Sequence, residues 1–106
     1  MIDLNIIREK VLSGKYVVSF THTEKLRMRK ISVVEIEQAI GNGKIIEPYP
    51  EDTRGPSCLI LGFADNGRPL HIVCGKVDEE EVLIITAYEP DSREWEADLI
   101  TRKKGD

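Results

Sequence analysis

The residues best suited to proton transfer near neutral pH are histidines, and the chain has two, His22 and His71. His22 lies in the stretch Thr21-His22-Thr23-Glu24, which fits the capping box that begins a helix. An imidazole there could serve as base or acid, and the helix N-terminus would favour its neutral form and could hold a phosphate. The alternative is that His22 merely follows a capping threonine on an exposed turn.

His71 lies within the apolar run Pro69–Gly75, which has the pattern of a strand. Alternation places His71 on the face with Val73, opposite Ile72 and Cys74. The alternative to a catalytic role is a hydrogen-bonded structural histidine. Because His71 and Cys74 would point to opposite faces and no Cys-x-x-Cys is present, the pattern argues against zinc. We expect no metal and no cofactor.

Further polar candidates come from loops and strand ends. Residues 49–57 form the densest polar segment, in which Arg54 stands among acids and prolines. Such a loop at a sheet edge often carries binding or catalytic groups, although it could also be a turn-rich connector. Arg68 follows a hairpin turn, and Thr86 and Tyr88 share one face of a later strand. Tyr88 could equally be a half-buried aromatic.

The net charge of −4 is unevenly distributed. Residues 1–30 have seven Lys/Arg and three acids, a local +4, whereas residues 77–98 have nine acids and Arg93, a local −8. This pattern excludes a uniformly basic nucleic-acid binder but allows a basic face on the helical half, where Arg27 and Arg29 lie. The alternative is a set of solvated charges on helix surfaces.

Three helices are predicted to precede and support these residues. The first runs from about Asp3, which can cap it, to Ser13, and Gly14 suits the left-handed position that follows. The second begins at the Thr21 capping box and holds residues 25–30. The third begins at a second capping box, Ser32-Val33-Val34-Glu35, and ends at Gly41-Asn42-Gly43.

The remaining apolar runs predict strands, and helices followed by hairpins indicate an α+β fold. We therefore predict N-terminal helices packed on one face of a mainly antiparallel sheet of about four strands, in a single domain of residues 1–106 whose tail frays from about residue 101. The β-rich runs are Tyr16–Phe20, Lys44–Glu47 (ended by Pro48 and Pro50), Ser57–Phe63, Pro69–Gly75 and Val82–Tyr88.

The stretch Asp65-Asn66-Gly67 predicts a hairpin, and its length decides how the two cysteines lie. A three-residue loop would make Cys58 and Cys74 direct cross-strand partners, whereas a two-residue turn would separate them. The start Met1-Ile2-Asp3-Leu4-Asn5 does not fit a signal peptide, and no apolar run approaches the ~20 residues of a membrane span. We expect a cytoplasmic protein with no membrane partner and with reduced, buried thiols.

Four stretches of the chain resemble a bacterial domain-of-unknown-function family over roughly residues 16–103. They are THTEKLRMRKIS, GKIIEPYPEDTRGPSCLILGF, GRPLHIVCG and LIITAYEPD, the last followed by Trp95. That family looks like a member of the RelE/barnase-like nuclease group, many of which are toxins of toxin–antitoxin pairs. The resemblance implies helices first and then a four-stranded antiparallel sheet whose open face holds RNA.

The resemblance also implies a metal-independent endoribonuclease, in which the RNA 2′-hydroxyl attacks the adjacent phosphate. Its partners would be RNA, including mRNA, and a cognate antitoxin protein. The competing interpretations are a non-catalytic protein- or RNA-binding module and a structural subunit without a site. The implied roles are proton transfer for His22 and His71, phosphate stabilisation for Arg54 and Arg68, RNA-backbone contact for Arg27 and Arg29, and a contribution to the site from Thr86 and Tyr88.

Overall fold

The computed structural model describes residues 2–53, 55–76 and 80–104, with the backbone alone at residues 20–22. Its helices and strands confirm the α+β class. No helix in these described ranges is both long and apolar enough to cross a membrane. The helices are α1 (Leu4–Leu12), α2 (Phe20–Met28) and α3 (Val33–Asn42), and the strands are β1 (Tyr16–Val18), β2 (Lys44–Tyr49), β3 (Ser57–Phe63), β4 (Pro69–Gly75) and β5 (Val82–Tyr88).

The sheet has five strands in the order β1-β5-β4-β3-β2, one more than predicted, and it is mixed. Strands β2 to β5 form the expected antiparallel meander. The short β1 adds to the far edge in parallel with β5, and Tyr16 lies opposite Val82. Between β1 and β5 the chain passes through α2 and α3 to β2 at the opposite edge, so β1 and β5 are not joined by a hairpin, as parallel pairing requires. Since β1 spans only three residues, the second half of β5 pairs with β4 but has no strand on its other side.

The ends of α1 and α3 confirm the predicted caps. Asp3 accepts a hydrogen bond from the Asn5 amide (2.9 Å), and Gly14 follows α1 with a φ of +77°. At α3 the capping box is complete, because Ser32 and Glu35 each accept a hydrogen bond from the backbone amide of the other. Both helix starts therefore depend on residues within three positions of each other.

Helix α2 begins earlier than predicted. Its N-cap is Ser19, so Thr21 and His22 lie within the helix and the predicted Thr21 cap is wrong. The Ser19 amide donates to the Ile84 carbonyl (2.9 Å), so the chain passes directly from the sheet into the helix. The helix ends at Met28, and Lys30 adopts a φ of 57° in the left-handed region that terminates helices.

Strand β2 is longer than predicted. Pairing continues past Pro48, which lies opposite Cys58, to Tyr49. Because β2 is an edge strand, a proline that lacks the N–H group can be accommodated there. The strand contains an irregularity between Ile45 and Glu47.

The main core lies between the helices and one face of the sheet. Gly62 of β3 lies directly beneath α3, since a Cβ atom at this position would be 1.8 Å from the Ala39 carbonyl oxygen. The hairpin has the three-residue loop, closed by the Ala64 amide and the Arg68 carbonyl (2.9 Å), and Cys58 and Cys74 are cross-strand partners. Both thiols are free and buried, and burial raises the pKa of Cys58 to about 12. The cluster comprises Ile7, Val11, Leu26, Ile31, Ile36, Ala39, Ile40, Cys58, Ile60, Leu70, Ile72, Cys74, Val82, Ile84 and Ala87.

The opposite face of the sheet carries Leu59, Leu61 and His71, and all three are buried. The chain after β5 reaches this face, where Trp95 contacts the His71 ring. Trp95 forms an isolated bridge with Arg102, and the Lys103 amide donates to the Glu94 carbonyl (2.8 Å). The tail that was expected to fray from residue 101 is thus hydrogen-bonded to the preceding turn as far as Lys103.

Candidate functional site

Two adjoining cavities lie at the end of β5 and share Arg29, Tyr88 and Glu89. The larger one has a volume of about 450 Å³ and the smaller one about 350 Å³. We call the combined depression the Tyr88 groove. Its lining residues are Arg29, Arg68, Tyr88, Glu89, Asp91, Glu94, Trp95 and Arg102.

The structure distinguishes the two arginines of the second helix region. Arg29 reaches over the unpaired edge of β5 and donates to the Ala87 carbonyl (2.8 Å) and the Thr86 hydroxyl (3.2 Å). Both bonds use Nη1, and Nε and Nη2 of Arg29 have no partner within the described part of the chain. Arg27 instead pairs with Glu24 on the exposed surface of α2. Of these two residues, Arg29 alone lines the groove.

Arg68 lies at the other end of the groove, where its guanidinium caps the C-terminus of α2. It donates to the carbonyls of Lys30 (2.7 Å) and Arg29 (2.8 Å). It also pairs with Glu35 (3.3 Å) and Glu89. The pKa of Arg68 is raised, chiefly by the hydrogen bond to Glu89. Two carboxylates and the two carbonyls that follow α2 therefore already engage this cation.

His71 lies directly behind Tyr88, with no exposed surface. Its Nε2 is 2.7 Å from the Leu99 carbonyl oxygen and its Nδ1 is 3.4 Å from the Tyr88 hydroxyl. Because a carbonyl oxygen only accepts, Nε2 must carry the hydrogen of the neutral ring, and Nδ1 is left as an acceptor for the Tyr88 O–H. Burial lowers the pKa of His71 and raises that of Tyr88, so both groups are neutral near pH 7.

Aromatic and charged side chains surround the rest of the imidazole. The Trp95 ring meets it edge to face, with centroids 4.4 Å apart. Arg102 lies over Trp95, with its guanidinium carbon 4.8 Å from the centroid. Arg102 also forms a two-pronged ion pair with Glu47 (2.8 and 2.9 Å), and Glu47 accepts a further hydrogen bond from Tyr49. The hydrogen bonds from Arg102 are the main reason that the pKa of Glu47 is lowered to about 2.

The structure brings together most of the residues that the sequence singled out. The groove is lined by Arg29, Arg68 and Tyr88. Thr86 accepts a hydrogen bond from Arg29, and the buried His71 ring contacts the Tyr88 hydroxyl. Arg54 and the side chain of His22 lie outside the described residues. Within the described ranges, no group of three or more His, Cys, Asp or Glu residues is placed to hold a metal ion.

Sequence reasoning missed Glu47, Leu99 and Arg102. Glu47 was expected in a short strand, and Arg102 in a frayed tail, 55 residues away along the chain. Nothing in the local sequence links the two, because strand alternation and capping patterns extend over only a few residues. Trp95 was noted as part of a motif, but its position against His71 depends on how the C-terminal segment folds back.

Comparison with protein families gives a match to the family described as Domain of unknown function (DUF4258) over residues 23–89, which is more than half of the chain. The chain belongs to this family. The DUF4258 region includes α3, β2 to β5 and most of α2, and it therefore contains His71, Tyr88 and Arg29. It ends before Trp95, Leu99 and Arg102. No curated protein and no solved structure matches the chain.

Proposed function

We propose that this DUF4258 protein is a toxin-type, metal-independent endoribonuclease of the RelE-like kind, with its active site in the Tyr88 groove. The observation that carries the proposal is the contact between Tyr88 and His71. A hydroxyl at the wall of an open groove is backed by a buried imidazole that can accept its proton. Arg29 lines the same groove and bonds β5 through Nη1 alone, which leaves its Nε and Nη2 groups to donate to a phosphate. A proton acceptor and a cation side by side meet the needs of phosphodiester cleavage.

In the proposed reaction the RNA 2′-oxygen attacks the adjacent phosphorus while its proton passes to the Tyr88 oxygen. The Tyr88 proton passes at the same time to Nδ1 of His71, so the tyrosine never carries a full negative charge. This concerted transfer is needed because burial keeps the pKa of Tyr88 above its ordinary value. The bond from phosphorus to the 5′-oxygen breaks, leaving a 2′,3′-cyclic phosphate and a 5′-hydroxyl. His22 is the proposed donor of the proton to the 5′-oxygen.

The arginines have different proposed parts. Arg29 would bind the phosphate through Nε and Nη2, since Nη1 is bonded to β5. Arg68 would act indirectly by fixing the end of α2 from which Arg29 projects. Arg27 would contact the RNA backbone outside the groove, and Arg54 would stabilise phosphate charge from the loop before β3. Each phosphate contact should make RNA affinity depend on salt concentration.

The test is incubation of the purified protein with mixed RNA in the presence of EDTA, compared with three variants. Tyr88→Phe removes the hydroxyl but keeps the ring that packs against His71, and Arg29→Gln removes the groove cation. Lys25→Gln is the matched control, because Lys25 is exposed on the same helix and has no proposed part in RNA binding or cleavage. Cleavage with 2′,3′-cyclic phosphate ends should fall roughly 100-fold or more in Tyr88→Phe. Equal cutting by all four proteins would contradict the proposed site.

A second candidate is a non-catalytic module that binds protein or RNA through the same groove. It is favoured by the acids Glu89, Asp91 and Glu94, which line the groove beside Arg29 and Arg102. A module should bind a partner without cutting RNA, and its expression should not arrest growth. A toxin should arrest growth, Tyr88→Phe should relieve the arrest, and a co-expressed antitoxin should do the same. Cytoplasmic location and an mRNA substrate belong to the toxin proposal.

A further inference from the structure

We infer that Glu47 and Arg102 are positioning residues that hold the Leu99 carbonyl against His71, so that the ring keeps its hydrogen on Nε2 and offers Nδ1 to Tyr88. Glu47 does not line the Tyr88 groove, and Arg102 lines it with its Nε and Nη2 already bonded to Glu47. Their effect passes through Trp95 and the loop that ends at Arg102. The catalytic meaning of this arrangement rests on the proposed ribonuclease function, whereas the position of the imidazole hydrogen does not.

The loop between Trp95 and Arg102 is closed on itself by hydrogen bonds. The Glu96 amide donates to the Thr101 carbonyl (2.8 Å), and the Leu99 amide donates to the Glu96 carbonyl (2.9 Å). The Asp98 carboxylate accepts from the amides of Ile100 and Thr101 (2.9 Å each). The loop is therefore a defined unit, and fixing its two ends fixes the carbonyl of Leu99.

Leu99 itself has a φ of +63°, in the left-handed region that branched and bulky residues rarely adopt. Such a conformation is strained and persists only where surrounding contacts maintain it. Its carbonyl oxygen lies 2.7 Å from Nε2 of His71. The strain is located at the residue that determines which imidazole nitrogen carries the hydrogen.

Arg102 holds the end of this loop to the sheet. It pairs with both oxygens of Glu47 on β2 and lies over the Trp95 ring. The Glu47 side chain is 24% exposed and that of Arg102 62% exposed. The planar guanidinium of an arginine can form this bidentate ion pair and stack on the ring, whereas a lysine could reproduce only the charge.

The charges around His71 give Glu47 and Arg102 opposite effects on its protonation. The groups that face the ring are Glu47 from β2, Tyr88 from β5, and Arg102 and the Leu99 carbonyl from the C-terminal segment. Glu47 favours the imidazolium and Arg102 opposes it. If Arg102 acted through its charge alone, its removal would raise the pKa of His71. The Leu99 hydrogen bond raises that pKa more than the Arg102 charge lowers it. Loss of the carbonyl contact should therefore lower the pKa of His71 when either Arg102 or Glu47 is removed.

The experiment is nitrogen NMR of the His71 ring in a His22→Gln background, where His71 is the one remaining histidine. The parent should show a protonated Nε2 and an unprotonated Nδ1 at neutral pH. Arg102→Gln should give a mixture of both neutral forms and a lowered His71 pKa, and Glu47→Gln should do the same. Arg102→Lys should give a partial return to the parent, and a raised pKa in Arg102→Gln would mean that Arg102 acts through its charge alone. Arg93→Gln is the matched control, since Arg93 is 88% exposed and pairs with Asp91 in the same segment.

A parent ring with its hydrogen on Nδ1 would overturn the inference, and so would an Arg102→Gln ring identical to the parent. The parent spectrum and Arg102→Lys keep the inference testable if Arg102→Gln fails to fold. In the cleavage assay Arg102→Gln should reduce kcat roughly ten- to a hundred-fold, with a shifted pH profile and little change in KM. Absence of cleavage with the expected NMR result would refute the proposed function alone.

Discussion

Replacing Arg68 by glutamine should destabilise the fold far more than replacing a surface arginine. Arg68 donates to the Lys30 and Arg29 carbonyls at 2.7 and 2.8 Å and pairs with Glu35 at 3.3 Å. The side chains of Arg68 and Glu35 are 20% and 19% exposed, so solvent screens this pair only partly. Glutamine is too short to reach both carbonyls and has no charge for the carboxylates.

The magnitude follows from the individual contacts. Hydrogen bonds from a charged donor contribute about 1.5–3 kcal/mol each, part of which the freed carbonyls recover by binding water. The pair with Glu89 adds less, because that side chain is 50% exposed. We therefore expect the free energy of unfolding to fall by about 3 kcal/mol. Arg27→Gln, which breaks an exposed pair with Glu24, should cost only about 0.3–0.5 kcal/mol.

Urea unfolding followed by circular dichroism measures both values. A loss for Arg68→Gln within about 0.5 kcal/mol of that for Arg27→Gln would refute the capping role. The free energy of unfolding of Arg68→Lys should lie between those of the parent and Arg68→Gln, since lysine keeps the charge but lacks the planar guanidinium. If Arg68→Gln instead abolished RNA cleavage at unchanged stability, Arg68 would be a phosphate-binding residue, as the sequence first suggested.

Three further predictions concern the core and the buried histidine. Gly62→Ala should lower the free energy of unfolding by about 3 kcal/mol, because the added carbon would lie 1.8 Å from the Ala39 carbonyl oxygen. Urea unfolding measures this value, and a loss below about 1 kcal/mol would contradict the close approach of the two backbones. The pKa of buried His71 is lowered, so below about pH 6.5 this histidine takes up a proton in the unfolded chain before it does so in the folded protein. The free energy of unfolding should therefore fall by at most about 1.4 kcal/mol for each pH unit. A His71→Gln variant should lack this part of the pH dependence. Cys58 and Cys74 should react with a thiol reagent only at the rate of unfolding, since both are buried with raised pKa values; rapid reaction of the native protein would disprove that.

Local patterns in the sequence determined much of the framework. The Asp3 cap and the Ser32–Glu35 capping box were predicted correctly, because each depends on side chains a few positions apart. The sequence left two hairpin registers open, and the structure has the one with the three-residue loop, which pairs Cys58 with Cys74. The hydrophobic alternation of β4 likewise placed His71 on the face away from the main core.

The tertiary structure decided where chain segments distant in sequence meet. It placed β1 beside β5, began α2 at Phe20, and selected Arg29 over Arg27 for the Tyr88 groove. These outcomes depend on which strand edge is left unpaired once the sheet has formed. A local sequence pattern does not contain that information.

The surroundings of His71 show the difference most clearly. Its residue type and strand position were evident from the sequence, but its role depends on partners far along the chain. The Leu99 carbonyl lies 28 residues away, and the Glu47–Arg102 ion pair that holds the C-terminal segment spans 55 residues. The sequence by itself thus determined which residues could do chemistry. The tertiary structure decided which nitrogen of His71 faces Tyr88, because hydrogen bonding and burial depend on contacts that form only when the whole chain has folded.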